Sequence, residues 1–236
     1  MQTRPETRER LLLANVLVVA VCALLYELLC GTLASYLLGD AVLQFSLVLG
    51  TYLFAMGVGA WLSRRLEARA ASRYVQAELA LALVGGLSVP GLLLAVSAHL
   101  PLRPTLYAVV FIVGALVGVE LPLLVKILRT PRAAGAARDP TKAPPSFGDL
   151  VARALAYDYV GALAASLLFP LVLVPRLGLV RTSVAAGIVN AIVALSATFV
   201  IKVEHPRLVR VAGALVLVVL AITFVRGETW VAAATD

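Results

Sequence analysis

The chain has 236 residues, of which 61% are hydrophobic, and 20 Lys and Arg against 13 Asp and Glu give it a formal net charge of +7. Its mean hydropathy of +0.98 leaves too many apolar residues for one soluble core. Continuous apolar runs of about 20 residues exclude a β-barrel, whose strands alternate polar and apolar residues. We therefore expect an all-α fold, a polytopic helical membrane protein.

Seven apolar stretches, in chain order, are long enough to cross a bilayer as helices. They cover about residues 13–38, 42–63, 75–98, 105–128, 152–175, 179–201 and 208–225. No small-residue cleavage site follows the charged N-terminal segment MQTRPETRER, so the first stretch is expected to be a retained helix and not a signal peptide. The sequence therefore predicts seven transmembrane helices.

A segment rich in Pro, Ala and Arg divides these helices into groups of four and three. The predicted parts are an N-terminal four-helix membrane half (1–128), a cytoplasmic linker (129–150) and a C-terminal three-helix membrane half (151–236). Sixteen of the 20 Lys and Arg lie in loops on the side that includes the N-terminus and the linker. Because basic residues concentrate on the cytoplasmic side, we expect a cytoplasmic N-terminus, and the excess charge requires no nucleic-acid partner.

Four carboxylates interrupt or border the apolar stretches: Glu27, Glu78, Glu120 and Asp158. A carboxylate at the centre of a membrane helix costs about 2.5–3.5 kcal/mol, and no Lys or Arg lies deep in a predicted span to neutralise one. Two roles stay open. The acids are either protonated and hydrogen-bonded between helices, or they form a cavity of negative potential that binds a cation or relays a proton. Glu78 is near a cytoplasmic end, where we expect it to reach the interface.

Small residues accompany three of these acids on the same helix, which is typical of helix–helix contacts. Tyrosine and asparagine side chains nearby could supply hydrogen bonds. The predicted ligand-binding residues are Glu27, Glu120, Asp158, Tyr26, Tyr157 and Asn190. Neither the two cysteines nor the two histidines have metal-ligand spacing, so we predict no metal site, no cofactor and no catalytic residue.

The first and fifth predicted helices share a weak internal similarity. The segments ALLYELLCGTLASYL (23–37) and ALAYDYVGALAASLL (154–168) have six identities at an offset of 131, and Glu27 aligns with Asp158. This pattern is either a parallel internal repeat, as in some transporter folds, or accidental. If it is a repeat, we expect Glu27 and Asp158 to face each other near a pseudo-two-fold axis.

Several segments resemble the membrane domain of bacterial transmembrane spermidine-synthase-like proteins, which are polyamine aminopropyltransferase homologues. The segments are YELLCGTLASYLLGDAVLQFSLVLGTYLFAMGVGAWLSRR, VGVELPLLVKILR and ALAYDYVGALAASLLFPLVLVPRLGLVRT, together with the region of Asn190. The resemblance implies a location in the bacterial inner membrane, a connection with polyamines, and a C-terminal domain that binds decarboxylated S-adenosylmethionine through a glycine-rich loop after a strand. Nothing after residue 200 has that pattern, so the resemblance leaves open whether this chain is an enzyme.

Two functions are therefore expected at this point. One is a membrane module that binds or moves a cation, a polyamine or a proton, at its intramembrane carboxylates. The other is a non-catalytic structural subunit or anchor that docks onto another membrane protein or a separate soluble enzyme domain. The lipid bilayer is a partner in both cases.

The predicted linker gives a direct test of the orientation. We expect a cysteine introduced by Pro140→Cys to stay unlabelled when intact cells are treated with a membrane-impermeant maleimide, and to become labelled after the cells are permeabilised. Labelling in intact cells would contradict the cytoplasmic assignment.

Overall fold

A computed structural model describes residues 5–136 and 146–235 of the chain. These residues form eight α-helices and no β-strand. The helices are α1 (Pro5–Leu38), α2 (Ala41–Leu66), α3 (Ala70–Gly86), α4 (Ser88–Ser97), α5 (Leu102–Ala136), α6 (Phe147–Leu168), α7 (Val174–Val200) and α8 (Pro206–Thr235). The expectation of an all-α fold is confirmed. The described ends of the predicted linker 129–150 are helical, and its residues 137–145 lie outside the described part of the chain.

Local sequence signals account for where several helices begin. Gly39 and Asp40 both have positive φ, which turns the chain between α1 and α2. The Asp40 side chain then accepts a hydrogen bond from the Leu43 N–H and caps α2. At the start of α6, Ser146 and Asp149 form a reciprocal capping box.

The third predicted span, 75–98, is two helices and not one. Pro90 has no N–H to donate to the Gly86 carbonyl four residues earlier, so a continuous helix would leave that carbonyl unpaired. The chain instead breaks at Leu87, between α3 and α4. The Ser183 hydroxyl of α7 lies 3.1 Å from the Gly86 carbonyl and 2.9 Å from the Val180 carbonyl of its own helix. Its single proton is therefore shared between the Gly86 carbonyl and the Val180 carbonyl.

The count of seven transmembrane helices is not confirmed. By length and composition, five stretches of the described chain could cross a membrane: Arg10–Leu38, Ala41–Gly86, Leu102–Arg129, Phe147–Val200 and Pro206–Gly227. Two of them are 46 and 54 residues long, and each contains parts of two predicted spans. In the longer one a π-helical turn, Phe169–Leu173, follows α6, and Gly178 adopts φ 71° inside α7. Glycine tolerates this left-handed backbone, so the chain changes direction there without a conventional loop.

Helix α1 lies at the centre of the bundle, where it contacts α2, α5, α6 and α7. Helices α2 and α5 form the most extensive contact, and glycines allow it. A Cβ at Gly118 would collide with the Met56 carbonyl, and one at Gly59 with the Ala115 carbonyl. Helices α1 and α6 approach in the same way, because a Cβ at Gly161 would collide with the Leu17 carbonyl. These contacts between backbones are typical of helices that pack through small residues.

One end of the bundle gathers charged side chains from several turns. Arg69 pairs with Glu204 at 3.3 Å, and Lys126 pairs with Glu67. Exposed ion pairs of this kind contribute only about 0–1 kcal/mol each to stability. Their value here is that they show which turns lie close together. They bring the α2–α3 turn, α5 and the α7–α8 turn to one end, which is where the loop charges were expected to lie together.

Many large apolar side chains are exposed on the outside of the bundle. Examples are Val42, Leu53 and Phe54 on α2, Leu163 on α6 and Val225 on α8. Monomeric soluble proteins rarely expose contiguous apolar patches of this kind. The exterior therefore favours an apolar environment around the helices.

The glycine contacts predict the outcome of a small substitution. Gly118→Ala places a methyl group against the Met56 carbonyl, and we expect it to destabilise the protein by about 1–3 kcal/mol. Gly50→Ala is the matched control, because no atom lies within 4 Å of a Cβ at that position. We expect thermal unfolding in detergent to show a lower midpoint for Gly118→Ala only. Equal midpoints for both variants would contradict the described α2–α5 contact.

Candidate functional site: a buried cavity with three carboxyl groups

Three helices bring polar side chains to one partly open cavity. The cavity has a volume of about 70 Å³. Its polar lining consists of Tyr74 and Glu78 from α3, Glu120 from α5 and Asp158 from α6. The remaining lining is apolar and comes largely from α1 and α5, and no basic side chain is among the described residues that line the cavity.

Glu78 is placed by the close contact of α3 with α7. Gly86 and Gly187 bring the two backbones together, since a Cβ at Gly187 would lie 2.8 Å from the Gly86 Cα. Asn190 follows Gly187 by about one turn on the same face of α7. Its side-chain amide Nδ2 donates to the Glu78 backbone carbonyl at 3.0 Å. This hydrogen bond fixes the axial position of α3 relative to α7.

Glu120 is placed by the contact of α5 with α2. It follows Gly118 by two residues, which is about 200° around the helix axis. Gly118 faces α2, so Glu120 faces the opposite side, where α5 contacts α3. The small-residue pair of α5 therefore packs one side of the helix and leaves the other side for the carboxyl group.

Asp158 reaches the cavity because of the contact between α6 and α1. Gly161, one turn later on the same face, packs against Leu17 and Ala20. Asp158 consequently lies beside the α1 residues Val19, Ala20 and Ala23 that line the cavity. It is partly buried, whereas Glu78 is 0% exposed and Glu120 is 6% exposed.

Several buried polar atoms in this region have no hydrogen-bond partner among the described residues. They are Oε1 and Oε2 of Glu78, Oε1 of Glu120, Oδ1 of Asn190 and the Tyr26 hydroxyl. Tyr74 and Asn190 flank the Glu78 carboxyl group but make no hydrogen bond of ordinary geometry to it. Apart from the Tyr26 hydroxyl these atoms are acceptors when the acids are ionised. The cluster thus has more acceptors than donors, and protonation of a carboxyl group or a bound water would satisfy it.

The structure separates the six predicted ligand-binding residues. Glu120 and Asp158 line the cavity, and Tyr26 and Asn190 are buried among its neighbours. Glu27 does not line it, because it lies four residues beyond Ala23, the last α1 residue of the lining, about 6 Å farther along α1. Tyr157 is 41% exposed and faces outward. A ligand-binding role for these residues stays a prediction.

Glu78 is the residue that the sequence reasoning missed. It was expected at the interface, but it is fully buried. The sequence does carry a signal for a buried Glu78: the small residues Ala82, Gly85 and Gly86 follow it by one and two helical turns. Small residues follow Glu27 and Asp158 at similar spacings.

Fold and site together define a class of protein: a strongly apolar helical bundle with an acidic cavity between its helices. Comparison with known proteins relates this bundle to enzymes. Two proteins of Ralstonia nicotianae named Polyamine aminopropyltransferase 2 and Polyamine aminopropyltransferase 1 are each 46% identical to the chain over 207 residues, 87% of its length. A Polyamine aminopropyltransferase of Leptospira interrogans is 43% identical over 212 residues, 89% of this chain.

The chain spans about two fifths of the length of these relatives, namely 38%, 37% and 40%. It is thus homologous to a part of each of them. No protein-family model and no solved structure matches the chain.

The names of the relatives correct the expected function. The chain was expected to be a module that binds or moves a cation, or else a non-catalytic subunit or anchor. That expectation is wrong, because the curated homologues are named as catalytic enzymes. Buried acids without bases occur in transporters and in other helical membrane proteins alike, so the charge pattern alone did not identify the function.

One oxygen of the Glu120 carboxyl group, Oε1, has no hydrogen-bond partner among the described residues. Substitutions of Glu120 and Asn190 should therefore differ in their effect on thermal stability. Glu120→Leu removes a buried acid that has an unsatisfied oxygen, so we expect unchanged or higher thermal stability. Asn190→Ala removes the hydrogen bond between α7 and α3 and should cost about 1–3 kcal/mol. Thermal unfolding of both variants in the same detergent measures this. A large loss of stability in Glu120→Leu would show that its carboxyl group has a strong partner.

Proposed function

We propose that this chain is the helical, membrane-spanning region of a polyamine aminopropyltransferase of the bacterial inner membrane. The observation that carries the proposal is the 46% identity over 207 residues to proteins with that name. The activity is the transfer of an aminopropyl group to a polyamine. We assign it to the enzyme as a whole and not to any residue of the described helices.

Three features of the chain support placement in a membrane. Five stretches of the described chain are long and apolar enough to cross a bilayer. The exterior of the bundle exposes large apolar side chains, which suits a hydrocarbon environment. Basic residues concentrate in loops on one side, as in proteins whose cytoplasmic loops are positively charged.

Exchange of the homologous region tests the functional part of the proposal. In the Ralstonia nicotianae Polyamine aminopropyltransferase 2, the matched region is replaced by that of this chain. We expect the chimera to remain in the membrane pellet after an alkaline carbonate wash and to convert a polyamine acceptor to its aminopropylated product, measured by mass spectrometry. The control replaces the region with an unrelated helical bundle of equal length, which should lower the activity.

Two results would overturn this proposal separately. Release of this chain into the carbonate supernatant, when it is expressed by itself, would contradict its membrane placement. A chimera that is monodisperse and membrane-bound but inactive, beside an active Ralstonia protein, would contradict its equivalence to the region it replaces. Monodispersity by size-exclusion chromatography distinguishes this second result from simple misfolding.

A further inference from the structure

A shallow, open groove lies on the outer face of α2. It is lined by Leu53, Phe54, Gly57, Val58 and Trp61. Gly57 leaves open space within it, because no atom lies within 4 Å of where a Cβ would be. Its lining is apolar and aromatic, as is typical of ligand sites.

Two aromatic side chains form the ends of the groove, and each is supported by a neighbour. Phe54 packs against Phe111 of α5 with ring centroids 6.2 Å apart. The Arg65 guanidinium lies 4.9 Å from the centre of the Trp61 ring. Both aromatic walls are thus held by contacts within the protein.

Positive charge adjoins one end of the groove. Arg64 and Arg65 occupy the last turn of α2 and are exposed. They follow Trp61 by three and four residues, so they lie on the same side of the helix. A guanidinium group binds phosphate through paired N–H donors, and Arg65 can do so while its flat face stays on Trp61.

The length of the groove matches one leaflet of a bilayer. From Leu53 to Trp61 the helix rises about 12 Å, against about 15 Å for half of the hydrocarbon core. Tryptophan and arginine at the end of a membrane helix are typical of the headgroup level. The basic loops assign this end to the cytoplasmic side, whose leaflet carries anionic lipids.

We propose that this groove binds one anionic phospholipid. An acyl chain lies over Gly57 between Phe54 and Trp61, and the phosphate accepts hydrogen bonds from Arg64 and Arg65. The inference rests on the proposed membrane placement, and it adds a specific lipid to it. The apolar groove fits the acyl chain of an anionic lipid, and the two arginines fit its phosphate. A second copy of the chain bound to the same face would bring like-charged arginines together.

The test measures lipid binding to the detergent-purified chain by native mass spectrometry, with phosphatidylglycerol and phosphatidylcholine of identical acyl chains. We expect phosphatidylglycerol to bind more tightly to the wild type. Arg64→Gln and Arg65→Gln should each weaken its binding about fivefold, the factor for one basic residue at a membrane surface. Arg103→Gln is the matched control, since this exposed arginine lies in the first turn of α5 and does not line the groove.

Gly57→Leu fills the groove and should weaken both lipids together. Gly50→Leu is its control on the same helix, because Gly50 also has open space around it but does not line the groove. Equal affinity of the wild type for the two lipids, or equal effects of Gly57→Leu and Gly50→Leu, would overturn the proposal. A dimer mass that Gly57→Leu abolishes would overturn it in favour of a second copy as the occupant.

Failure of this lipid site differs from failure of the proposed function. A chain that stays in the carbonate-washed membrane but shows no preference for phosphatidylglycerol retains the membrane placement and loses the site. A chain released by carbonate loses the membrane placement itself. Circular dichroism of each variant confirms that the helices are intact before lipid binding is compared.

Discussion

The close approach of helix backbones at glycine residues determines how this bundle is arranged. Where a glycine meets a carbonyl group or another glycine on the facing helix, the two backbones can approach closely, because a Cβ at that position would collide. Gly118 against Met56, Gly161 against Leu17 and Gly187 against Gly86 are contacts of this kind. Together they join α2 to α5, α6 to α1 and α7 to α3. The positions of the buried acids follow from these three contacts.

The acidic cavity is a consequence of this packing. Each of its acids lies within a few residues of a glycine contact or of the hydrogen bond that accompanies it. Glu120 faces away from the α2 contact, Asp158 lies beside the α1 contact, and Asn190 holds the Glu78 backbone beside α7. The carboxyl oxygens that remain without partners would cost stability in a dry interior, where an unsatisfied buried polar group is expensive. A cavity large enough for water reduces that cost.

The exterior of the bundle and its similarity to known enzymes point to different aspects of function. The exposed apolar side chains and the basic end concern the surroundings of the helices, whereas the similarity to polyamine aminopropyltransferases concerns the enzymes that contain a homologous region. Both features of the exterior occur together at the groove on α2, where apolar side chains and arginines lie on one helix face. Neither the groove nor the cavity would be recognised from hydropathy, which treats every apolar residue of a span alike.

The sequence by itself determined the all-α class, the positions of most helices and the asymmetry of basic loops, because these depend on the length and composition of local segments. It also identified Glu120, Asp158 and Asn190 as residues of interest, since a polar side chain in an apolar run is visible without a fold. Only the tertiary structure showed that Glu78 joins Glu120 and Asp158 while Glu27 lies farther along α1. That difference depends on the register and rotation of helices relative to one another. A shift of one residue turns a side chain by about 100° around the helix axis, and such a rotation is decided by contacts between segments far apart in the chain.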